Sequence, residues 1–365
     1  MPATALTPTP AAPAASASRQ AAGQRSTDLE LAIAREPGAF RVLTGDRPTG
    51  PLHLGHYFGT LQNRVRLQDA GVELLVLIAD YQTITDRTAP AGLPADVLGL
   101  VADYLAAGLD PDRAVIFAHS QVEAVHQLLV PFLSLVSVAE VSRNPTVKDE
   151  VAGAGPGGVT ALMFSYPVHQ AADILSVHAN VVPVGQDQLP HLELARIIAR
   201  RFNDRYSPGA PYFPEPSALL GSAPLLFGTD GTKMSKSRRN AVPIRASADE
   251  TARLIGGART DAERVITYEP QRRPEVSSLI LLAALCRDEP PEQVAAEIGS
   301  AGAAALKRAV TDAVNQRFAP FRRTRADLAR DPGYLRGVLS AGNERVSAIT
   351  TGTLADVRAL MHTSY

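Results

Sequence analysis

The chain has 365 residues, 45 % of them hydrophobic, and 36 Lys plus Arg stand against 37 Asp plus Glu for a formal net charge of −1. That length supports two domains, and the charge balance excludes attachment to nucleic acid by bulk positive charge while leaving room for a local basic patch. The lone Cys286 excludes an internal disulfide framework and any multi-cysteine metal site and points to an intracellular, cytoplasmic protein; no apolar run predicts a membrane span.

Residues 1–26 are mostly Ala, Pro, Ser and Thr with Arg19 and Arg25. Such composition predicts a disordered extension, here drawn as 1–38, with a short helix over 26–35 capped by Ser26 or Thr27. It has no apolar segment of the kind a secretory signal needs. From residue 39 the pattern becomes strand, turn and helix. Arg41–Thr44 is β-prone, Gly45–Pro51 is turn chemistry, and Gly55–Ala70 reads as a helix stopped by Gly71. Leu74–Ala79 is a continuous apolar run, suited to a strand buried on both faces. Val97–Ala107 reads as a helix, Ala114–Ala118 as a strand, and Val122–Val138 as a helix disturbed at Pro131. A Gly-rich stretch, 149–158, follows Lys148 and suits a gating loop over substrate. Asn180–Val184 is the next strand and Asp187–Phe202 the next helix. Alternation of this kind means βαβ units and a doubly wound parallel sheet, the α/β, Rossmann-like class, over 39–245.

After residue 245 only helical patterns remain, opening on Ser247 and Glu250 at capping-box spacing. An all-helical second domain is expected over 246–365. It carries Arg317, Arg322, Arg323, Arg325 and Arg330, a local concentration of positive charge.

Chemistry concentrates in two strings. His53-Leu54-Gly55-His56 lies where a strand and turn run into a helix. Gly55 leaves room for a nucleotide against the backbone, the helix start offers free N–H groups to phosphate, and both imidazoles can stabilise charge on departing pyrophosphate. A metal pair is disfavoured because no third ligand of obvious spacing accompanies them. Far downstream, Lys233-Met234-Ser235-Lys236-Ser237 follows the Gly-rich Gly228–Thr232. Lysines three apart on such a loop can close over a triphosphate near the transition state.

Together these strings resemble the two signatures of the class I aminoacyl-tRNA synthetases. Thr44–Gly59 (TGDRPTGPLHLGHYFG) resembles the first strand–turn–helix of the tryptophan and tyrosine subgroup, and Tyr166–Arg196 is similar to bacterial tryptophan–tRNA ligases. The resemblance runs from about residue 41 to the end of the chain. It implies ATP, entering with Mg²⁺, L-tryptophan and tRNA(Trp) as substrates, a homodimer, no structural metal, and tRNA anticodon binding by the helical domain.

By position, the resemblance implies ATP contacts from Arg47, Pro48, Thr49, Gly55, His56, Lys148, Gly185, Gln186, Asp187 and the Lys233–Ser237 string, with His53, His56, Lys233 and Lys236 catalytic. Tyr166 and Gln188 would hold the amino acid's ammonium and carboxylate, and Asp173 would accept the indole N–H. The chemistry agrees, since indole's one polar group is a donor and a carboxylate only accepts. Arg47, Gln82 and Gln170 depart from the common pattern, the latter two bordering the indole pocket, as in a divergent second group of bacterial tryptophan enzymes. A tyrosine–tRNA ligase shares both nucleotide signatures, and Asp173 alone does not separate the two. A small-molecule adenylyltransferase would need neither the KMSKS string nor the long helical tail. A synthetase-like regulator would not need an intact site.

Overall fold

The computed structural model describes residues 13–85, 92–153, 158–221, 226–236 and 238–365, with side chains from residue 21 onward. The first half of the chain forms α1 (Pro13–Arg35), β1 (Arg41–Asp46), α2 (Leu54–His56), α3 (Gln62–Asp69), β2 (Glu73–Ile78), α4 (Leu93–Ala106), β3 (Ala114–Ala118), α5 (Glu123–Leu133), α6 (Val138–Ser142) and α7 (Pro145–Gly153). Then come α8 (Ala161–Ser176), β4 (Val181–Val184), α9 (Leu189–Tyr206) and β5 (Ser217–Leu220). The chain ends in α10 (Ala248–Gly256), α11 (Pro274–Arg287), α12 (Pro291–Ile298), α13 (Gly302–Leu328) and α14 (Pro332–Leu360).

The strands form one parallel sheet in the order β3-β2-β1-β4-β5. β1 pairs β2 from Arg41↔Glu73 to Asp46↔Ile78, and β2 pairs β3 from Leu74↔Ala114 to Ile78↔Ala118. β4 joins the other side of β1 at Val42↔Val181. The order therefore reverses between β1 and β4, and a parallel sheet opens its ligand crevice at the strand C-termini at such a point. The four expected strands are present. β5 is an addition, a short strand after Pro216 whose sequence has no strand periodicity and whose place comes from pairing with β4.

Side chains alternate across each strand, so the sheet has two cores. Leu74, Val76 and Ile78 face one that includes Leu67, Leu100, Ile280, Val310 and Phe318. Leu75, Leu77, Val115 and Phe117 face the other, with Leu128, Phe132, Ile174, Ile198 and Leu354. The helices after residue 247 thus share both cores with the sheet. α14 comes so close to β3 that a Cβ on Gly342 would overlap the Ile116 carbonyl, and Asn343 Oδ1 accepts the Ala118 N–H at 2.8 Å. That contact covers the edge of β3, which would otherwise expose unpaired backbone groups.

The first residues depart from expectation. Instead of disorder to residue 38, α1 runs as one helix to Arg35. Ile33 is 1 % exposed and Ser26 Oγ, rather than capping a helix start, accepts the Leu220 N–H at 2.8 Å. Composition was dominated by the Ala/Pro stretch, whereas Leu29 and Ile33 carry enough apolar surface to dock. Residues 1–12 lie outside the described residues. The helix expected over 55–70 is interrupted too: Tyr57–Leu61 form a π-turn between α2 and α3, a local widening often found at functional sites.

Candidate active site

The two signature strings meet around the turn after β1. Arg64, 2 % exposed, lies beneath it and donates to Asp46 Oδ2 at 2.6 Å, Thr44 Oγ1 at 3.1 Å and the Gly45 carbonyl at 3.2 Å. Tyr104 adds an O–H to Asp46 at 2.7 Å. Burial raises the Asp46 pKa, but the Arg64 charge and hydrogen bond outweigh it and hold the carboxyl below the usual carboxylate range. A buried, fully hydrogen-bonded pair of this kind fixes the turn.

His53 caps α2. Its Nδ1 accepts the His56 N–H at 3.3 Å and His56 Nδ1 accepts the His53 N–H at 3.2 Å. Each ring therefore keeps its lone pair on Nδ1 and its proton on Nε2. Burial, the neighbouring imidazole and Lys236 pull His53 down to about 3. Burial also leads for His56, and with Lys236 and Arg64 it outweighs Asp46 and brings the ring to about 4. Both rings are thus neutral Nε2–H donors at physiological pH. The space expected at Gly55 is partly taken by this motif, since a Cβ there would sit 3.1 Å from the His53 ring.

The lysine string meets this turn from the other end of the fold. The strand-like stretch after it pairs with the histidine motif: Leu54 N–H donates to the Val242 carbonyl at 3.0 Å and Ile244 N–H to the Leu52 carbonyl at 3.0 Å. Lys236 Nζ donates to the Gly50 carbonyl at 2.7 Å and to Thr49 Oγ1 at 3.3 Å. Met234 is buried and Lys233 exposed; Ser237 lies outside the described residues. Asn240, 2 % exposed, holds the loop. It accepts the Ser235 N–H at 2.8 Å and donates to Asp230 at 2.8 Å and to the Lys233 carbonyl at 3.2 Å. Sequence reasoning missed Asn240, because nothing in a local string marks an amide that works across a loop.

On the other side of the turn is a cavity of about 420 Å³ at the β1/β4 switch, lined among others by Arg47, Gln82, Tyr166, Gln170, Asp173, Gly185, Gln188 and His191. This volume suits a small-molecule site. All five residues expected around tryptophan line it. Asp173 is 3 % exposed, and neither of its oxygens has a hydrogen-bond partner among the described residues. Tyr166 and Gln188 are joined through His191, which the sequence reading did not assign. His191 Nδ1 lies 3.0 Å from Gln188 Oε1, which can only accept. Its Nε2 then accepts from the Tyr166 O–H at 3.0 Å. Spacing three residues after Gln188 on a helix is the signal that could have found it.

Not every expected residue joins the cavity. Gln186 and Asp187 lie exposed in a turn at the end of β4, and Pro48 is buried beside Thr49. His53, His56 and Lys236 gather on the turn rather than in the cavity, and Lys233 is exposed. Lys148 is exposed on α7, whose Thr146 and Glu150 line the cavity instead. The segment read as a gating loop is helical through Gly153, and 154–157 lie outside the described residues. The arginine group also divides. Arg325 pairs with the buried Asp103 at 2.6 Å and Arg322 donates to Thr251 and Asn315, so both brace α13; Arg317, Arg323 and Arg330 remain exposed.

A strand-order crevice, a nucleotide turn clasped by two signature motifs and an adjoining amino-acid-sized cavity define an aminoacyl-adenylate-forming site. The family model described as tRNA synthetases class I (W and Y) matches residues 35–319, and the chain belongs to that family. It is 37 % identical over 336 residues to a tryptophan–tRNA ligase of Streptococcus agalactiae, covering 89 % of this chain and 98 % of that one. A tryptophan–tRNA ligase of Clostridium longisporum is 36 % identical over 333 residues, 89 % of this chain and 97 % of its own. The solved tryptophanyl-tRNA synthetase of Campylobacter jejuni, complexed with ADP and tryptophan, superposes with a TM-score of 0.77 at 29 % identity, covering 88 % of this chain and all of that one.

Proposed function

We propose that the chain is a tryptophan–tRNA ligase. The carboxylate of L-tryptophan attacks the α-phosphorus of ATP, entering as its Mg²⁺ complex. The α–β phosphoanhydride bond breaks, pyrophosphate leaves, and tryptophanyl-adenylate remains. The 3′-terminal adenosine of tRNA(Trp) then attacks the mixed anhydride with a ribose hydroxyl, and AMP departs. The substrate carboxylate is already a nucleophile, so the protein's part is positioning and charge stabilisation.

His53 and His56 offer neutral Nε2–H groups to the departing phosphates, and Lys233 and Lys236 offer positive charge. Burial lowers the Lys236 pKa, opposed by the fields of Asp46, Asp96 and Asp103. In the resting site Lys236 bonds to the Gly50 carbonyl, and it exchanges that partner for phosphate when ATP arrives. Tyr166, Gln188 and His191 form one chain at the mouth of the cavity, placed to meet the ammonium and carboxylate.

The observation that carries the choice of amino acid is Asp173, a buried acceptor with open valences on a cavity wall. His119 stands 2.9 Å away without hydrogen-bonding it, so the carboxylate keeps acceptor capacity for a ligand's donor, and the site selects a ligand that supplies one. Amino-acid-dependent exchange of pyrophosphate into ATP tests the reading. Exchange with tryptophan and not tyrosine is expected; exchange with tyrosine alone would overturn the pocket assignment.

Two further features belong to the same proposal. Val130 at 70 %, Leu133 at 40 % and Val138 at 72 % exposure form an apolar strip on α5 and the start of α6, which a second copy would cover in a homodimer; light scattering at working concentration reads this directly. Arg317 and Arg323, with Arg330 released from its exposed pair with Asp327 at 2.9 Å, meet tRNA phosphates in the cytoplasm, with binding that weakens as salt rises.

A further inference from the structure

Behind the cavity lies a cluster that the mechanism above does not use. His119, at the C-terminal end of β3, is fully buried. Its Nε2 is 2.9 Å from Asp173 Oδ1, close enough for charge pairing but out of line for a hydrogen bond, since both groups still lack one. Its ring stacks on His169 of α8 with centroids 4.4 Å apart. His126 of α5 completes the group. Its Nε2 lies 3.0 Å from the His119 carbonyl, which can only accept, so Nε2 carries the proton. His126 Nδ1 therefore accepts from His169 Nε2–H at 2.9 Å.

The three rings differ in charge. Burial lowers His169 to about 4, and His119 and His126 add to this against the opposing pull of Asp173. Burial and His119 lower His126. Burial alone would lower His119, yet Asp173 and Asp80 more than reverse it. Asp80 faces the ring from the end of β2, its carboxylate already accepting the Ser120 N–H and O–H, and the Tyr81 ring lies alongside at 5.9 Å.

We propose that His119 is a specificity-determining positioning residue, whose ring, 2.9 Å from Asp173 Oδ1 and stacked on the His169–His126 pair, holds the Asp173 carboxylate as an acceptor for the indole N–H. The inference rests on the tryptophan reading. A buried carboxylate is costly without a partner beside it, and a neutral carboxyl, left to accept through its carbonyl oxygen, is a weaker acceptor than the anion. His119 thus sets discrimination between ligands with and without a ring N–H, and leaves ATP chemistry untouched.

The test compares tryptophan with its benzothiophene analogue, in which sulfur replaces the ring N–H, by pyrophosphate exchange on the full chain from pH 6 to 9. The α-amino group titrates alike in both ligands, so their ratio isolates the pocket. Wild type is expected to prefer tryptophan at every pH. His119→Asn raises the tryptophan KM by roughly tenfold near pH 7, leaves the ATP KM and kcat nearly unchanged, and lowers the preference for tryptophan over the analogue, because the partner that keeps Asp173 aimed at the ring N–H is gone. His119→Gln, a neutral donor of greater reach, should behave in the same way and serves if the asparagine variant does not fold. A variant with wild-type tryptophan KM and an unchanged preference over the analogue overturns the assignment while leaving the tryptophan reading intact. If wild type binds both ligands equally, Asp173 is not the acceptor and this proposal falls, while tryptophan-dependent exchange with no tyrosine-dependent exchange still upholds the choice of amino acid. The ring nitrogens of the three histidines lie within 4.8 Å of one another, so metal analysis is the last arm. A stoichiometric transition metal lost on His119→Asn would make the rings ligands and overturn the proposal.

Discussion

The two halves of the site satisfy their polar groups differently. On the nucleotide side His53, His56, Lys236 and Asn240 are all bonded within the protein. On the amino-acid side the buried Asp173 and His119 keep polar atoms without hydrogen-bond partners among the described residues. The first half is a frame of backbone turns and caps whose polar groups already have partners. The second keeps hydrogen-bonding capacity open to a ligand, and on the proposed function selectivity resides there, because a buried acceptor not met by the ligand penalises the wrong amino acid.

The comparison breaks most sharply at Asp173. Asp173→Ala should lower kcat/KM for tryptophan by about 10⁴-fold, the scale for losing a built-in hydrogen bond to substrate, while ATP affinity holds. An equal loss in ATP affinity would show that the two halves are not separable. On the nucleotide side, Lys236→Ala should cost about 3 kcal/mol at the transition state, seen as a fall in kcat with little change in the tryptophan KM; unchanged turnover would refute its role. Asn240→Ala removes the amide that accepts the Ser235 N–H and donates to Asp230 and the Lys233 carbonyl and should cost about 1–3 kcal/mol. Because the lesion lies in the lysine loop, the ATP-dependent step should suffer more than tryptophan binding. Gly342→Ala, away from both halves, forces a Cβ against the Ile116 carbonyl. A loss of about 1–3 kcal/mol in denaturant unfolding is expected.

The smallest effect is on acid stability, and it compares the histidines of the two halves. His53 titrates near 3 and His56 and His169 near 4 when folded, against about 6.5 in an unfolded chain. Below pH 6.5 the unfolded state binds more protons, so stability falls as pH drops from about 6.5 to 4. His119 runs the other way, since its raised pKa contributes stability that is fully present below about 6.5 and is lost as pH rises through its folded value. His169→Asn should flatten the acid slope of a melting-temperature series between pH 7 and 4.5, and an unchanged slope would show that the ring is not buried as a neutral group.

Much of this was written in local strings. The apolar runs at Leu74–Ala79 and Ala114–Ala118 appear as β2 and β3 because continuous hydrophobicity survives only where both faces are covered. The histidine and lysine strings resembled a known pair of motifs because each carries its chemistry within five residues. Tyr166, Gln170, Asp173 and Gln188 were placed by the same likeness, and the fold brings them to one cavity.

What the sequence could not determine is whatever depends on two distant segments meeting. β5 is a strand only because β4 offers it an edge, and α1 docks by burying Ile33 in the core and by its Ser26 accepting the Leu220 N–H of that strand. Asn240 and Arg64 do their work by reaching across a loop and beneath a turn. Arg325, read from its neighbours as a surface charge, is committed to Asp103, 222 positions away along the chain. His119, His126 and His169 come from β3, α5 and α8 and become one cluster only after the sheet closes. Local periodicity encodes which face of an element is apolar; the partner that a buried polar group finds is settled by packing, where leaving it without one would cost more than the contact itself contributes.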